Sequence, residues 1–469
     1  MKGSKGTISH YINNLFIIAL VLYILLYLLS TIWEHPIITE TQSIMAMIML
    51  LTTLLVFPKR GLLLPILLIT ISIIIVVSTS SSPIALWIGL REMNAIITLV
   101  ILIGLVSWMI SHRPYVKALM LLGKKKITTP TRFYSLVTSI THLISSFMTV
   151  GGIPFSYQMF QNMKKPHVTQ LPWDFTLSTA VIRGFSLTVL WTAVHPAFAY
   201  VVGGTNAPLF PTMFKGLGLA MIGMALSIGI FSLQKSRKKV VDEVIPDLTM
   251  NPKEHLNGLV GKFLFWVSLL MGGIFITHHF LKLDILLAVP LVVVVVTTLY
   301  FISNRALPQY KKQWFTFVAI DFGKKKREIF LMLSAGILVG TLKETGYGHD
   351  LFLYFLTIVE WLNLNILMGL TLVVILLGFC GFPPIPAMVL LSGILIDIPG
   401  GYAPELVALS LLLGVSVTLF VAPVTVPLLL LASLNGRSLS EVGLRWNIIF
   451  GIIFLVIGLV YIQGLAVFS

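Results

Sequence analysis

Charge is scarce in this chain. Only 10% of its 469 residues are Asp, Glu, Lys or Arg, against about 25% in a soluble domain, while 57% are hydrophobic. The longest stretches without an apolar run, basic loops near 234–258 and 303–328, are each too short to bury a core, so no soluble domain is expected. A single cysteine, Cys380, excludes an intramolecular disulfide framework and a cysteine-based metal cluster. The motifs HExxH, GxSxG and GxxxxGK[ST] are all missing, so the chain is read neither as an enzyme nor as an ATP-driven pump. No Asp or Glu lies clearly mid-span in any apolar run, which argues against a proton pump built on a chain of carboxylates. No metal-ligand set is legible. The cation that fits such a composition is a sodium ion held by backbone carbonyls and Ser or Thr hydroxyls, with proton coupling through His195 left open.

What the chain has in abundance is apolar runs. About 20 apolar residues cross the roughly 30 Å hydrocarbon core as a helix, and eleven candidates fall near 11–33, 43–57, 61–79, 93–111, 174–203, 209–233, 259–281, 284–302, 329–346, 404–433 and 445–467. The second is short and would need a thinned bilayer or help from flanking residues. The first follows Met1, Lys2 and Lys5 and has no small-residue cleavage site behind it, so it reads as a retained helix. The expected class is an all-α polytopic membrane protein.

Two further apolar stretches, 131–162 and 364–398, carry Gly151-Gly152-Ile153-Pro154 and Gly381-Phe382-Pro383-Pro384 in their middles. A straight helix would break there. Read as re-entrant hairpins they agree with the loop charges; read as full spans they invert them. With the N-terminus in the cytoplasm, Lys59-Arg60, Lys124 to Lys126, Lys164-Lys165, Lys235 to Lys239, Lys311 to Arg327 and Arg437 to Arg445 all fall inside, whereas the loops at 205–209 and 400–404 carry almost no Lys or Arg. Retention of basic loops at the inner face of the cell membrane explains the formal charge of +15 better than nucleic acid does, and the partner it implies is the lipid bilayer.

The first hairpin then enters from the cytoplasm and the second from outside, which makes the halves an inverted repeat. Subtracting 230 lays Gly381 on Gly151, Pro384 on Pro154, Gly414 on Gly184, Ser416 on Ser186 and Thr418 on Thr188 without a gap. The expected division is an extra N-terminal helix over 1–40, a first repeat over 41–234, a cytoplasmic basic loop over 235–258 and a second repeat over 259–469. Segments 114–122 and 350–362, one before each hairpin, read as amphipathic surface helices or as extended loops.

A broken span follows each hairpin. Segment 174–203 contains Trp191-Thr192-Ala193-Val194-His195-Pro196, and segment 404–433 contains Ala422-Pro423-Val424-Thr425-Val426-Pro427. A helical Pro frees a carbonyl four residues earlier, tolerated in hydrocarbon only where protein or a wet cavity receives it. Half-helix N-termini at such breaks attract anions and unwound carbonyls coordinate cations.

Eleven spans with two opposed hairpins, each followed by a Pro-broken helix, resemble the ion transporter superfamily, which includes the divalent anion/sodium symporters, the citrate and arsenite carriers and the large membrane subunits of the tripartite periplasmic transporters. Residues 334–346 (SAGILVGTLKETG) are similar to the helix before its second hairpin. The resemblance implies the fold, an elevator-like motion, cation coupling and a homodimer. The chain departs from the Ser-Asn-Thr motif of the symporters: the first tip offers Ser145, Ser146 and Thr149 without Asn, and the second Gly378, Phe379, Cys380 and Gly381. That departure argues against a dicarboxylate held by paired side-chain motifs.

The residues expected to bind substrate are Ser145, Ser146, Thr149, Gly151, Arg183, Thr192, His195, Gly381 and Thr425. Arg183 has Leu413 as its repeat equivalent, so the architecture requires no charge there; it either attracts an anion or snorkels to headgroups. On the first of these readings Arg183→Leu abolishes uptake and leaves folding intact. His195 lies opposite Thr425 and could donate to a substrate, carry a proton or bond a freed carbonyl. His142 reads as a packed histidine, and Arg91 with Glu92 as an interfacial or locally paired couple. The expected function is a secondary active transporter of a small, anionic solute coupled to sodium or protons. The alternatives are a non-transporting membrane protein that uses the fold in envelope or spore-related assembly and, more weakly, an intramembrane enzyme.

Overall fold

The structure, a computed structural model, describes residues 2–57, 62–124, 129–162, 170–234, 256–382, 384–394, 401–423 and 425–467. All regular structure among them is helical. Among the described residues nine helical stretches are long and apolar enough to cross a membrane by length and composition, the folded-back Pro130–Gln161 and the broken Pro404–Asn435 among them, or ten if the pair Lys326–Thr345 and Tyr347–Trp361, bent by 93°, is one span. A stretch this apolar and this helical satisfies its backbone internally, as a bilayer requires. The loop at 235–255, with most of the expected cytoplasmic basic segment, lies outside the described residues, as do Lys59-Arg60 and Lys164-Lys165.

Several expected boundaries move. The second span runs Pro36–Val56, a full 21 residues. Hydropathy had cut it short at Thr39, Glu40, Thr41 and Gln42, yet Gln42 is buried and its Nε2 donates to the Tyr23 carbonyl at 3.3 Å, so this polar turn is helical and needs no thinned bilayer. The fourth begins earlier, at Ile84, and is helical in the pieces Ile84–Gly89, Asn94–Leu102 and Leu105–His112. Segment 303–328, expected as a loop, carries the helix Leu307–Thr316, which continues through Phe317–Asp321 and Phe322–Lys324. The surface segments resolve as the helices Tyr115–Lys124 and Tyr347–Trp361. In the first of these Tyr115, Val116, Ala118 and Met120 are buried, so it is a packed helix and not an exposed loop.

The chain divides into two compact units. The first comprises Met1–Leu102, Leu286–Leu362 and Met388–Ile398. At its centre is Lys326–Thr345, whose middle is buried throughout and which packs on the helices Leu63–Ser78 and Ile84–Gly89. Gly336 and Gly340, four apart on one face, lie against Gly89: a Cβ on Gly340 would sit 2.5 Å from the Gly89 Cα. Small residues in this spacing let two helices cross at backbone contact, where dispersion replaces the hydrophobic drive that lipid cannot supply.

The second unit comprises Ile103–Ile285, Asn363–Ala387 and Pro399–Ser469. It holds an outbound arm, Pro130–Met148, and a return arm, Gly152–Gln161, joined by a 3-10 turn at Thr149–Gly151. In a straight helix residues seven apart are about 10.5 Å apart along the axis. Here a Cβ on Gly152 would lie 2.9 Å from the Ser145 Cα, so the chain doubles back and only a glycine fits at 152. After the arms comes the first broken helix, Gln170–Ser186 and Pro196–Gly204, and later in the chain the second, Pro404–Val421 and Val426–Asn435.

Each broken helix packs closely on a preceding helix, Pro130–Met148 for the first and Ile366–Phe379 for the second, within one turn of equivalent positions. A Cβ on Gly184 would meet the Thr138 carbonyl oxygen at 2.6 Å and the Thr141 Cβ at 3.3 Å, and one on Gly414 would meet the Thr371 carbonyl oxygen at 2.7 Å. Thr371 is 230 residues after Thr141, as Gly414 is after Gly184. The broken helices also touch at an equivalent pair, where the Ser416 hydroxyl donates to the Ser186 carbonyl at 3.0 Å.

Candidate functional site

All nine residues expected to bind substrate fall in the second unit. Eight of them lie at or within one turn of the hairpin turn, the helix breaks or the end of the apolar helix Ile366–Phe379, where the backbone loses its regular partners, and Arg183 lies inside the helix Gln170–Ser186.

The outbound arm ends on strained backbone. Thr149 adopts φ +48° and ψ −132° while its N–H donates to the Ser145 carbonyl. A β-branched residue at positive φ costs on the order of 1–3 kcal/mol and persists only where its surroundings impose it. One turn back, the Ser146 hydroxyl is spent on the His142 carbonyl at 2.8 Å. The Ser145 hydroxyl is buried and has no partner, and neither has Thr141, one turn earlier on the same face. Gly151 opens the return arm and has open space around its missing side chain.

In the first break, the carbonyl of Thr192 is the one that Pro196 frees, and it accepts the His195 N–H at 2.8 Å. His195 caps the half-helix that follows, its Nδ1 accepting from the Ala197 N–H at 3.3 Å, which leaves the proton on Nε2. The Thr192 hydroxyl is buried without a partner. In the second break Pro423 frees the Leu419 carbonyl, and the Thr425 hydroxyl donates to it at 3.3 Å. At Phe379 the helix closes with the Gly381 N–H on the Gly378 carbonyl at 3.1 Å and the Phe382 N–H on the Leu377 carbonyl at 3.0 Å. This is a Schellman cap, and its geometry needs the left-handed backbone that Gly381 supplies at φ +89°.

Arg183 is placed otherwise than either sequence reading. It is buried, so it does not snorkel, and protein groups take three of its five N–H donors: Nε donates to the Asn447 Oδ1 at 2.8 Å, Nη2 to the Trp446 carbonyl at 3.0 Å and Nη1 to the Tyr134 hydroxyl at 3.3 Å. The guanidinium also lies 4.6 Å from the centre of the Phe450 ring. Tyr134 is itself held by the Ser227 hydroxyl at 2.9 Å, and Asn447 by the carbonyls of Val442 and Gly443. The guanidinium therefore ties the first broken helix to the outbound arm and to the helix Trp446–Val467, a fixed part of the unit's frame.

Sequence reasoning did not place three further features. Trp191 Nε1 donates to His142 Nε2 at 3.0 Å, which puts the imidazole proton on Nδ1, and His142 Nδ1 meets the Gly184 carbonyl at 3.0 Å. The outbound arm is thereby pinned to the helix before the first break and to the break itself. Asp174, at the start of the first broken helix, is buried and pairs with Arg437 beyond the second at 3.1 Å, beside a 2.9 Å bond from Asn435 Nδ2 to the Ser178 hydroxyl. Glu405, at the start of the second broken helix, pairs with Lys215 at 2.9 Å. The partners are 263 and 190 residues apart in sequence, so no local spacing could have signalled them. In the first unit, Arg91 and Glu92 pair not with each other but with Glu40 at 3.4 Å and Lys343 at 2.6 Å. They border a cavity of about 380 Å³ lined also by Ser30, Thr39, Gln42, Ile88 and Asn94, none of them among the nine.

No group of three or more His, Cys, Asp or Glu suited to a metal ion occurs among the described residues. The oxygen donors that could hold a hard cation are the unpartnered hydroxyls of Ser145, Thr141 and Thr192, with neighbouring backbone carbonyls.

No protein-family model matches the sequence, and no curated protein matches it. Among solved structures the chain is similar to the YdaH transporter of Alcanivorax borkumensis, whose crystal structure was described as revealing an unusual topology. The TM-score is 0.54 at 15% identity, over 81% of this chain and 86% of that one. The chain therefore has the fold of a membrane transporter and is a multi-pass membrane protein.

Proposed function

We propose that this protein is a secondary active transporter of a small, anionic solute, coupled to sodium or protons and working by an elevator-like motion of the second unit as a homodimer in the cell membrane. The observation that carries the reading is the pair of buried, unpartnered hydroxyls of Ser145 and Thr192, one at the hairpin's last turn and one in the first break. An unsatisfied buried polar group costs about 1–3 kcal/mol. A ligand or ion that supplies the missing partner recovers that cost when bound, which is reason for a binding site to keep such groups.

The preference for an anion rests on helix ends and not on Arg183, each of whose three nitrogens already donates to a protein group. Three half-helices, Gly152–Gln161, Pro196–Gly204 and Val426–Asn435, begin at the hairpin turn or at a break, and helix N-termini favour negative charge without a fixed cation. The repeat is supported by the close packing of Gly184 against Thr138 and Thr141 and of Gly414 against Thr371, and its inversion, with the N-terminus in the cytoplasm, by the basic loops. The elevator motion is supported by the gathering of every expected site residue in one of two compact units.

The test is uptake by proteoliposomes, screened over carboxylates with and without sodium or proton gradients. Gradient-dependent accumulation is expected. Thr192→Val should raise the half-saturating concentration about tenfold or more while keeping or slightly raising the melting temperature, because it removes an unsatisfied group from the empty protein. Failure to move any carboxylate under either gradient would overturn the proposal.

A further inference from the structure

The helix Leu307–Thr316 and its continuation to Lys324 lie between two apolar helices, Ile285–Ser303 and Lys326–Thr345 of the first unit, so the segment sits where the chain leaves the hydrocarbon and re-enters it. One face is anchored. Tyr310 is buried against Phe301 with ring centres 5.1 Å apart, its hydroxyl lies 2.7 Å from that of Thr298, and an aromatic row continues through Trp314, Phe317 and Phe322. The end of the segment is held by Lys326, whose ammonium lies 5.2 Å from the centre of the Phe16 ring.

No described residue covers the opposite face. Leu307, Lys311 and Phe315 follow one another four residues apart along a single exposed stripe, with Lys312 one residue round and Ile320 beyond. Phe315 is 81% exposed. The segment is strongly basic: residues 303–328 hold seven Lys or Arg against two carboxylates. Both carboxylates are already taken, Asp321 by Lys324 at 2.8 Å and Glu328 by Lys325 at 2.7 Å. Lys311 and Lys312 make no ion pair with any described residue.

From this face we infer a docking surface for anionic phospholipid headgroups, independent of the transport reading. A bare aromatic ring flanked by two lysines at a membrane boundary matches the two layers of a phospholipid: Phe315 enters the acyl region while the lysine stems lie along it and carry their ammoniums up to the phosphates. The helix is fixed from behind, so docking needs no reordering of the backbone. Each lysine near an anionic surface strengthens attachment about fivefold. A lipid held here would brace the link between two helices of the first unit.

The experiment uses the full chain, purified in detergent, exposed to equal amounts of phosphatidylglycerol and phosphatidylcholine and examined by native mass spectrometry. The unaltered protein should retain phosphatidylglycerol in preference. K311Q/K312Q should weaken that retention about 30-fold, K311R/K312R should keep it, and Phe315→Ser should weaken retention of both lipids. Equal retention of the two lipids by the unaltered protein, or an unchanged preference in K311Q/K312Q, would overturn the inference. So would displacement by soluble glycerol phosphate at the concentration at which the lipid binds, which would mark a phosphate site and not a lipid surface.

Discussion

Arg183 shows how far a residue's role depends on its neighbours. Its sequence context, a lone cation nine residues into an apolar run, carries the same signal whether the guanidinium meets a substrate or the protein's own carbonyls. In the fold it meets Asn447, Trp446 and Tyr134, and replacing it strands all three. Arg183→Leu is therefore expected to destabilise the protein by about 1–3 kcal/mol for each buried partner left unsatisfied, seen as a fall in melting temperature in detergent before any effect on uptake can be read. Arg183→Lys should recover only part of this, because an ammonium cannot reproduce the planar fork. A variant Arg183→Leu with unchanged melting temperature would show that the network contributes nothing. Ser145 and Thr192 behave oppositely: the sequence marked them by their place at a hairpin tip and a helix break, and in the fold their hydroxyls are buried without a partner, a state they share with Thr141, Ser156 and Tyr157 of the same unit.

At the scale of elements, the arms and broken helices depend on backbone contact. A Cβ on Gly414 would lie 2.7 Å from the Thr371 carbonyl oxygen, and one on Gly184 2.6 Å from that of Thr138, so neither site has room for a side chain. Gly184→Val and Gly414→Val should each force helix and arm apart at a cost of about 1–3 kcal/mol, and thermal unfolding should show the two losses to be similar. A loss at one site alone would argue against equivalent packing in the two halves. The elements themselves were partly legible. Gly151-Gly152 and the two proline breaks marked where helices had to stop, because Gly and Pro act through local backbone geometry. The helix Leu307–Thr316 was not legible, since its apolar residues are aromatic and interleaved with lysine, and its order comes from docking Tyr310 and Trp314.

For the whole molecule the open quantity is orientation. With Cys380 replaced by serine, a cysteine at the exposed position of Lys312 should react with an impermeant maleimide only in inverted membrane vesicles, and one at the exposed position of Glu360 only in right-side-out cells. Reaction of both from one side would contradict the inverted arrangement and remove the main support for alternating access. Both positions are exposed and neither makes a described ion pair, so the labels report topology and not unfolding.

By itself the sequence determined that the chain spans a membrane many times as helices, and where those that carry Gly-Gly or Pro break. Hydrocarbon leaves few ways to satisfy a backbone, and both apolar length and proline act over a few residues. Tertiary structure alone decided which polar groups find partners. Arg183 is held by Tyr134 and by two residues more than 260 positions away, Asp174 is neutralised by Arg437, and Ser145 and Thr192 are left unpaired. Such pairings depend on which helices pack together, a long-range outcome that no local pattern encodes.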